Sequence, residues 1–319
     1  MAETFNTVAH ILQQSDLNLS DAEVSDILND APLIRALAAE TASHATSHKY
    51  TKETTAPTNG FRQPNAGRAN TGSQDTLVTL NLAILDATFD CDSAVANANP
   101  ASKGGRAGYI QREARRSLRA ALFGAESQIW YGTGLDSDGF VGLNANAPVQ
   151  YNDSAMVVDA TGTTVGGASS VWLIRTNDMG TDVEFIVGQD GQIDIGETTS
   201  IQKLDGSSNP YVAYMTQMQM WAGLQVGSIY SVGRIVNLTA EAGKGLTDDL
   251  IFSLLEKFPA SRRPNLCVMN QQSQEQLRSS RTATNATGAP APLPESVANI
   301  PILTTDSLLK TEALVGATP

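Results

Sequence analysis

The chain has 319 residues, 41% of them hydrophobic, and a formal net charge of −12. A chain of this size can bury a substantial core. Its acidity argues against a dedicated nucleic-acid reader, because such proteins usually present a basic face to phosphates. No apolar run approaches the 18 residues of a membrane span, and the N-terminus lacks the pattern of a signal peptide. We therefore expect a product of the cytosol without membrane contact.

The side chains that usually carry catalysis or metal binding are few and badly spaced. Cys91 and Cys267 lie far apart and outside any C-x-x-C pair, which predicts reduced thiols. His10, His44 and His48 are the only histidines, and no Glu lies between the last two as a zinc motif requires. Two acidic turns, at residues 136–139 and 190–197, do not keep the spacing of a calcium loop. Residues 242–245 lack the first glycine of a phosphate loop, and no G-x-S-x-G elbow occurs. We predict no catalytic, metal or cofactor site.

The first 40 residues show two short helical patterns. Pro32 interrupts them, and residues 33–39 can add a further turn or two. The residues that form the two apolar faces are Val8, Ile11 and Leu12, then Val24, Ile27 and Leu28.

Residues 38–76 contain no Leu, Ile, Val or Met, and their only large apolar side chains are Tyr50 and Phe61. Such a segment buries too little to offset its ordering entropy, so disorder is one interpretation. It runs, however, into residues 78–84, whose apolar side chains alternate as in a strand, and residues 51–55 supply a partner strand. A lone hairpin is marginal in water. If this one is ordered, we expect it to lie on another subunit.

A long helix is predicted from about residue 106 to residue 131, between glycine pairs at each end. Its apolar residues recur every three or four positions and form one stripe, whereas four arginines occupy the other face. The stripe consists of Ile110, Ala114, Leu118, Ala121, Leu122, Ala125 and Ile129.

The rest of the chain is predicted to mix strands with two further helices. Residues 211–237 form a long apolar segment that Gly223 or Gly227 is expected to bend. Thr247 and Asn270 are the expected caps of the two helices. The predicted elements are strands at 171–174 and 183–187, a helix after Thr247, a strand at 266–269, a helix at 271–281 and a strand at 300–304.

These elements, in this order, resemble the Hong Kong 97-like major capsid proteins of tailed phages. The segment Ile129–Gly132 (IWYG) followed by Gly139–Leu143 (GFVGL) resembles the signature that closes the spine helix in one subfamily. The resemblance implies an α+β fold with an N-terminal arm, an extended β-hairpin loop, a long spine helix in a peripheral domain, and an axial α/β domain. The implied approximate boundaries are 1–49 for the arm, 50–92 for the loop, 93–240 for the peripheral domain and 241–319 for the axial domain.

The resemblance also implies a function and partners. The chain would self-assemble, as hexamers and pentamers, into the icosahedral head shell around a double-stranded DNA genome. Further expected partners are a portal protein, a separate scaffolding protein, an optional decoration protein and packaged DNA held non-specifically. The virion would be its final location. An encapsulin-like compartment is the alternative of the same fold, disfavoured by the polar arm, while a hydrolase or a host-binding fibre is opposed by the missing nucleophile motif and the missing repeats.

Contacts between subunits are expected from the hairpin and from the basic face of the long helix. The arginines could instead touch the genome or be solvated, but in an acidic chain that assembles we favour pairing between subunits. The residues concerned are Tyr50, Lys52, Phe61, Arg62, Arg68, Arg112, Arg115, Arg116 and Arg119.

Overall fold

The computed structural model describes residues 28–143, 154–177, 180–191, 193–285 and 289–315. The predicted helical pattern at Val8, Ile11 and Leu12, and most of the pattern that ends at Leu28, lie outside the described residues. Leu28 itself begins a short 3-10 turn, Leu28–Asp30.

Runs of consecutive strands are separated by a few helices in an α+β arrangement. The helices are α1 Pro32–Ala36, α2 Ser93–Asn97, α3 Gly105–Tyr131, α4 Asp248–Glu256 and α5 Gln271–Ala283. The strands of the first half are β1 Ala38–Thr41, β2 Ser47–Thr55, β3 Gln74–Asn81, β4 Ala83–Asp86, β5 Phe89–Asp92 and β6 Val157–Asp159. Those in the middle of the chain are β7 Ser169–Ile174, β8 Val183–Val187, β9 Asp194–Ile195, β10 Thr199–Leu204, β11 Pro210–Thr216, β12 Met218–Val226 and β13 Val232–Leu238. The last strands are β14 Leu266–Met269, β15 Ser296–Val297 and β16 Ile300–Thr304.

The strands form two larger and two smaller sheets in the described part of the chain. One large sheet has the order β1-β8-β12-β4, with β9 also on β12, and the other has the order β15-β16-β14-β7-β13-β6. The smaller sheets are β10-β11-β5 and the hairpin β2-β3. The second large sheet spans the boundary expected at residue 240, because β7 is hydrogen-bonded both to β13 and to β14.

The long helix predicted at residues 106–131 is confirmed as α3. Its apolar stripe faces inward as expected: Leu118, Leu122 and Ile129 are buried in the main core, which also takes in strands of both large sheets. The ring of Trp130 lies 5.5 Å from that of Trp172 on β7, which joins the end of the helix to the second large sheet.

The two predicted caps are confirmed. The Thr247 hydroxyl accepts a hydrogen bond from the backbone N–H of Leu250, and the Asn270 side chain accepts one from that of Ser273 at 2.8 Å. Each satisfies a donor that the first turn of a helix leaves without a partner.

Other sequence predictions needed correction. The alternating run at 78–84 is two strands, because β3 pairs with β2 whereas β4 pairs with β12 in another sheet. The segment 211–237 is three strands separated at Gln217 and at residues 227–231. A Cβ at Gly227 would meet the Thr181 carbonyl carbon at 2.6 Å, so only glycine fits at the second break. The helix after Pro32 ends at Ala36 rather than reaching residue 39, because β1 begins at Ala38 and pairs with β8.

Candidate assembly surfaces

The predicted pairing of residues 51–55 with the strand after residue 76 is confirmed in the hairpin β2-β3. The antiparallel register runs from Ser47 opposite Asn81 to Thr55 opposite Gln74, with a bulge between Glu53 and Thr55. Lys52, one of the proposed contact residues, is half-buried on β2 opposite Thr76.

The base of the hairpin packs on its own chain. Tyr50, Leu80 and Leu82 form a small buried cluster with Ile186 of β8, and Trp221 of β12 packs against it. The hairpin therefore has more core than its lack of aliphatic residues before Thr76 suggested, because β3 and the residue after it supply the missing leucines.

A half-buried ion pair, which we call the Glu53 clasp, holds the outer end of β2 to the rest of the subunit. Arg262 pairs with the Glu53 carboxylate and donates a second hydrogen bond to the Ser228 hydroxyl at 3.1 Å. The backbone N–H of Glu53 donates to the Gly227 carbonyl at 3.1 Å. The hydrogen bond to Glu53 raises the pKa of Arg262, so the guanidinium stays charged.

Beyond the clasp lies the hairpin tip, which we define as residues 56–73. Thr58 and Thr71 continue the pairing through two backbone hydrogen bonds of 3.1 and 3.2 Å. Phe61 is 100% exposed. Two proposed contact residues flank it, since Arg68 donates to the Phe61 carbonyl at 3.2 Å and Arg62 to that of Ala66 at 3.4 Å. The tip thus presents one exposed aromatic ring and two arginines whose guanidinium groups bind backbone carbonyls of the same turn.

The four arginines of α3 have different environments. Arg119 makes a bidentate ion pair with Asp30, which lies 89 positions earlier in the chain. One of its two nitrogen–oxygen distances is 2.7 Å. Arg116 binds Glu113 at 2.8 Å within the helix, and the Arg112 guanidinium lies over a tyrosine ring of the preceding turn. Arg115 is half-buried. Part of the basic face therefore makes contacts within its own chain. The spacing of the arginines in the sequence did not indicate these contacts.

Glu126 of α3 is a buried carboxylate that joins three parts of the chain. It accepts backbone hydrogen bonds from Leu33 at 2.8 Å and from Ile34 at 3.4 Å, at the start of α1. It also accepts from the hydroxyls of Thr305 and Ser307, near the C-terminus, the latter at 2.7 Å. Burial raises the pKa of Glu126, and these four donors oppose the shift. The sequence analysis missed Glu126, although an acidic residue inside an apolar helical stripe is a signal that could have identified it.

A second buried network holds the last described residues in place. Glu312 pairs with Arg234 of β13 at 3.0 Å and accepts a hydrogen bond from the Tyr131 hydroxyl at 2.8 Å. Ser170 bonds to both partners of this ion pair, and Arg234 lies 4.7 Å above the ring of Trp172. No local pattern in the sequence marks these residues, because they are brought together only by the sheet.

An apolar depression of about 370 Å³, the spine cleft, lies between β4 and the C-terminal half of α3. Ile84 and Leu135 line it and are each 53% exposed, while Phe140 lies buried beneath. Two carboxylates, Asp136 and Asp138, also line the cleft, on a turn in which the Asp138 N–H donates to Asp136 at 3.0 Å. The cleft offers apolar surface beside negative charge.

Among the residues that the structure describes, no group of three or more His, Cys, Asp or Glu side chains is placed to hold a metal ion. None of the helices described above is long and apolar enough to cross a bilayer.

Comparison with known proteins adds the family. The family model for the major capsid protein GP7 matches residues 16–316. A chain from the near-atomic cryo-EM structure of bacteriophage epsilon15 has a TM-score of 0.59 at 20% identity, covering 99% of each chain. A chain of the bacteriophage JBD30 capsid has a TM-score of 0.50 at 13% identity, covering 96% of each chain. No curated protein matched by sequence.

The two structural likenesses show a shared fold, and the family match covers almost the whole chain, with the viral shell favoured over the encapsulin-like alternative. The chain belongs to the major capsid protein GP7 family, and its function is to form the capsid shell of a tailed bacteriophage.

Proposed function

We propose that copies of this chain, arranged as pentamers and hexamers, close into an icosahedral head around double-stranded DNA. The observation that best supports this proposal concerns the hairpin. Every residue from 54 to 77 is exposed, although the strands remain paired. Ordering so many residues without burial is unfavourable in an isolated subunit. A neighbouring copy that covers this surface would offset that cost.

In the Hong Kong 97-like arrangement that we propose, the hairpin is the extended loop and α3 is the spine of the peripheral domain. The N-terminal arm would end near residue 49. We assign the six-stranded sheet to the axial domain, which then takes in β6, β7 and β13 as well as residues 241–319. The support for this revision is the hydrogen bonding between β7 and β14.

Among the proposed contact residues, those at the tip are the strongest candidates for binding between subunits. Phe61, Arg62 and Arg68 are exposed, whereas Tyr50 is buried against its own chain and Arg119 already pairs with Asp30. Lys52, Arg112, Arg115 and Arg116 remain candidates for contacts along the hairpin and the spine.

The expected partners follow from the same role. We propose a separate scaffolding protein, a portal protein at one vertex and an optional decoration protein outside. Packaged DNA would be held only non-specifically, since the net charge of −12 disfavours strong phosphate binding. Membership of a structural family implies a non-enzymatic role. Synthesis in the cytoplasm of the host bacterium would precede assembly into the virion.

The test removes the tip and keeps the strands. Residues 57–72 are replaced by Asn-Gly, a sequence that closes two-residue hairpins. Co-expressed with the neighbouring phage structural proteins, the wild-type chain should give closed particles in electron micrographs. The shortened chain should give folded subunits with an unchanged melting temperature and no particles. Shortening the exposed turn Asp205–Asn209 in the same way is the matched control.

Hydrogen exchange tests the same proposal without a mutation. The backbone of residues 56–73 should exchange rapidly in free subunits and slowly in particles, because only a neighbour covers it. Equal protection in both states would show that the tip gains nothing from assembly and would contradict this role.

A further inference from the structure

We propose that Asn59 in the hairpin tip is a self-modification site, at which the side chain closes onto the backbone nitrogen of Gly60 and becomes aspartate or isoaspartate. The reaction would proceed in free subunits and would mark those that have waited unassembled. This second part rests on the proposed shell function.

The residue pair that allows this reaction occurs once in the chain. Asn59-Gly60 is the only Asn-Gly in the sequence. Glycine has no Cβ, so nothing crowds its backbone nitrogen when the neighbouring side chain approaches. Asn-Gly often closes a tight hairpin turn. Here the turn lies further along, at Pro64 and Asn65, and Gly60 does not adopt a positive φ. The pair is therefore not needed for the turn.

The backbone nitrogen of Gly60 is available for attack, whereas those that follow the other two asparagines of the tip are not. Both Asn59 and Gly60 are exposed, and the Gly60 N–H donates to no described residue. The N–H groups that directly follow Asn65 and Asn70 each donate to a backbone carbonyl at 3.2 Å. The tip thus contains one asparagine whose neighbouring nitrogen is both uncrowded and unbonded.

The guanidinium of Arg68 lies against Gly60. A Cβ built on Gly60 would meet one of the guanidinium nitrogens at 2.2 Å, and a hydrogen bond of 3.2 Å to the Phe61 carbonyl holds the group there. A cation favours the deprotonated form of a group beside it. Arg68 therefore favours loss of the Gly60 amide proton and stabilises the oxyanion that forms on the Asn59 side chain.

The reaction needs no reagent other than water. The Gly60 nitrogen forms a bond to Cγ of Asn59, which closes a succinimide ring, and the bond from Cγ to Nδ2 breaks. The amide proton of Gly60 passes to the departing nitrogen, which leaves as ammonia. Water then opens the ring. Opening at Cγ gives aspartate, and opening at the backbone carbonyl gives isoaspartate, in which the main chain runs through Cβ and Cγ.

Either product changes the surface that we assign to assembly. Each adds a negative charge beside Arg68, with which the guanidinium can then pair. Isoaspartate also adds one carbon to the backbone just before Gly60, which displaces the exposed ring of Phe61. In a shell, a neighbouring subunit that covers the tip would slow the reaction. The modification would therefore accumulate on subunits that stay free.

The chemistry is tested on free subunits by mass spectrometry of tryptic peptides. The peptide Glu53–Arg62 contains Asn59 as its only amide side chain, and the next peptide, Gln63–Arg68, contains Asn65 as an internal control. After incubation in mildly alkaline buffer, Asn59 should be converted to an acid while Asn65 stays an amide. Hydroxylamine, which cleaves a succinimide, should cut the chain after residue 59. Equal rates of conversion in the two peptides would overturn the proposal.

Substitutions in the exposed tip separate the contributions of the glycine and of the cation. Gly60→Ala places a Cβ beside the attacking nitrogen and should slow the reaction at least about tenfold. Arg68→Gln removes the charge and should slow it about fivefold, as expected for a unit charge about 4 Å away in water. Arg68→Lys keeps the charge and should keep most of the rate. Equal slowing by Arg68→Gln and Arg68→Lys would overturn the role of the charge.

Competition tests the effect on assembly. Aged wild-type subunits, which contain modified and unmodified chains, are assembled with the neighbouring phage structural proteins, and the peptide Glu53–Arg62 is compared between particles and unassembled subunits. Modified chains should be depleted several-fold from the particles. Asn59→Gln is the matched control, because glutamine would have to close a larger ring. Aged Asn59→Gln subunits should assemble like fresh ones.

The outcomes distinguish this inference from the shell function. Equal proportions of modified chains in particles and in unassembled subunits would overturn the effect on assembly and leave the shell function standing. If fresh chains formed no particles, the shell function and the effect on assembly would both fail, while the reaction at Asn59 would still be decided by its own measurement in free subunits.

Discussion

The hairpin and α3 are both long elements, but they bury their side chains to very different extents. The C-terminal half of α3 lies in the main core and carries a buried carboxylate with four donors. The outer part of the hairpin is exposed from residue 54 to residue 77 and contributes nothing to that core. In one chain, one long element stabilises the subunit and the other is available for assembly. Substitutions in the two regions should therefore be separable in their effects.

The largest difference is expected when a carboxylate is placed in each region. Leu122→Asp puts an unpaired charge into the core at a position with no exposed surface, and the cost should exceed about 4 kcal/mol. We expect this variant not to fold. Phe61→Asp, at the fully exposed tip, should melt like the parent. Circular dichroism melts compare the two, and equal melting of Leu122→Asp and the parent would show that the core face of α3 is misplaced.

Removal of the Glu126 carboxylate should have the next largest effect. In Glu126→Ala, the backbone donors of Leu33 and Ile34 and the hydroxyl of Ser307 lose their shared acceptor, at a cost of roughly 3 kcal/mol. Urea unfolding would measure the loss. Glu113→Ala, which removes a half-buried carboxylate paired with the exposed Arg116 on the same helix, should cost less than about 1 kcal/mol. Similar losses in both variants would contradict a special role for Glu126.

Glu184 should make the subunit less stable as the pH rises. Burial, then a hydrogen bond with Glu40, raises the pKa of Glu184 to about 8. Between these two pKa values the folded chain keeps a proton that the unfolded chain has released. The free energy of unfolding therefore falls as the pH rises from 4.5 to about 8.

The variant Glu184→Gln cannot lose a proton, so it should be more stable than the parent at pH 9 and similar to it near pH 4.5. Melting temperatures measured across this pH range give the slope of stability against pH for each variant. Glu256→Gln, on the exposed side of α4, is the control and should keep the parent's slope. An unchanged slope in Glu184→Gln would assign the pH dependence to other groups.

The smallest effect is expected at the ion pair between Arg119 and Asp30. Both side chains are well exposed, so Arg119→Ala should cost less than about 1 kcal/mol. The preceding residue, Leu118, faces the core, and Leu118→Ala should cost about 2–5 kcal/mol. A loss for Arg119→Ala as large as that for Leu118→Ala would mean that this ion pair anchors residues 28–36 to α3.

Local patterns predicted the elements whose reasons are local. The stripe of α3 and the caps Thr247 and Asn270 depend on residues within a few turns, and all three predictions are confirmed. The break at Leu82 could not be predicted, because the alternation is unchanged there and only the partner strand differs. The Glu126 site joins residues about 93 and 181 positions away, which no sequence window contains. The spine cleft escaped prediction for the same reason.

The position of the Glu53 clasp makes the outer end of β2 a candidate pivot for the hairpin tip. The clasp and the neighbouring bulge fix the outer end of β2 to the subunit, and the exposed tip extends beyond that point. We expect a small rotation at that point to move Phe61 by a larger distance, because Phe61 lies beyond it, and to leave the buried cluster at the base packed. We expect such a rotation to let subunits with one internal structure contact neighbours at the different angles that a closed, curved surface imposes.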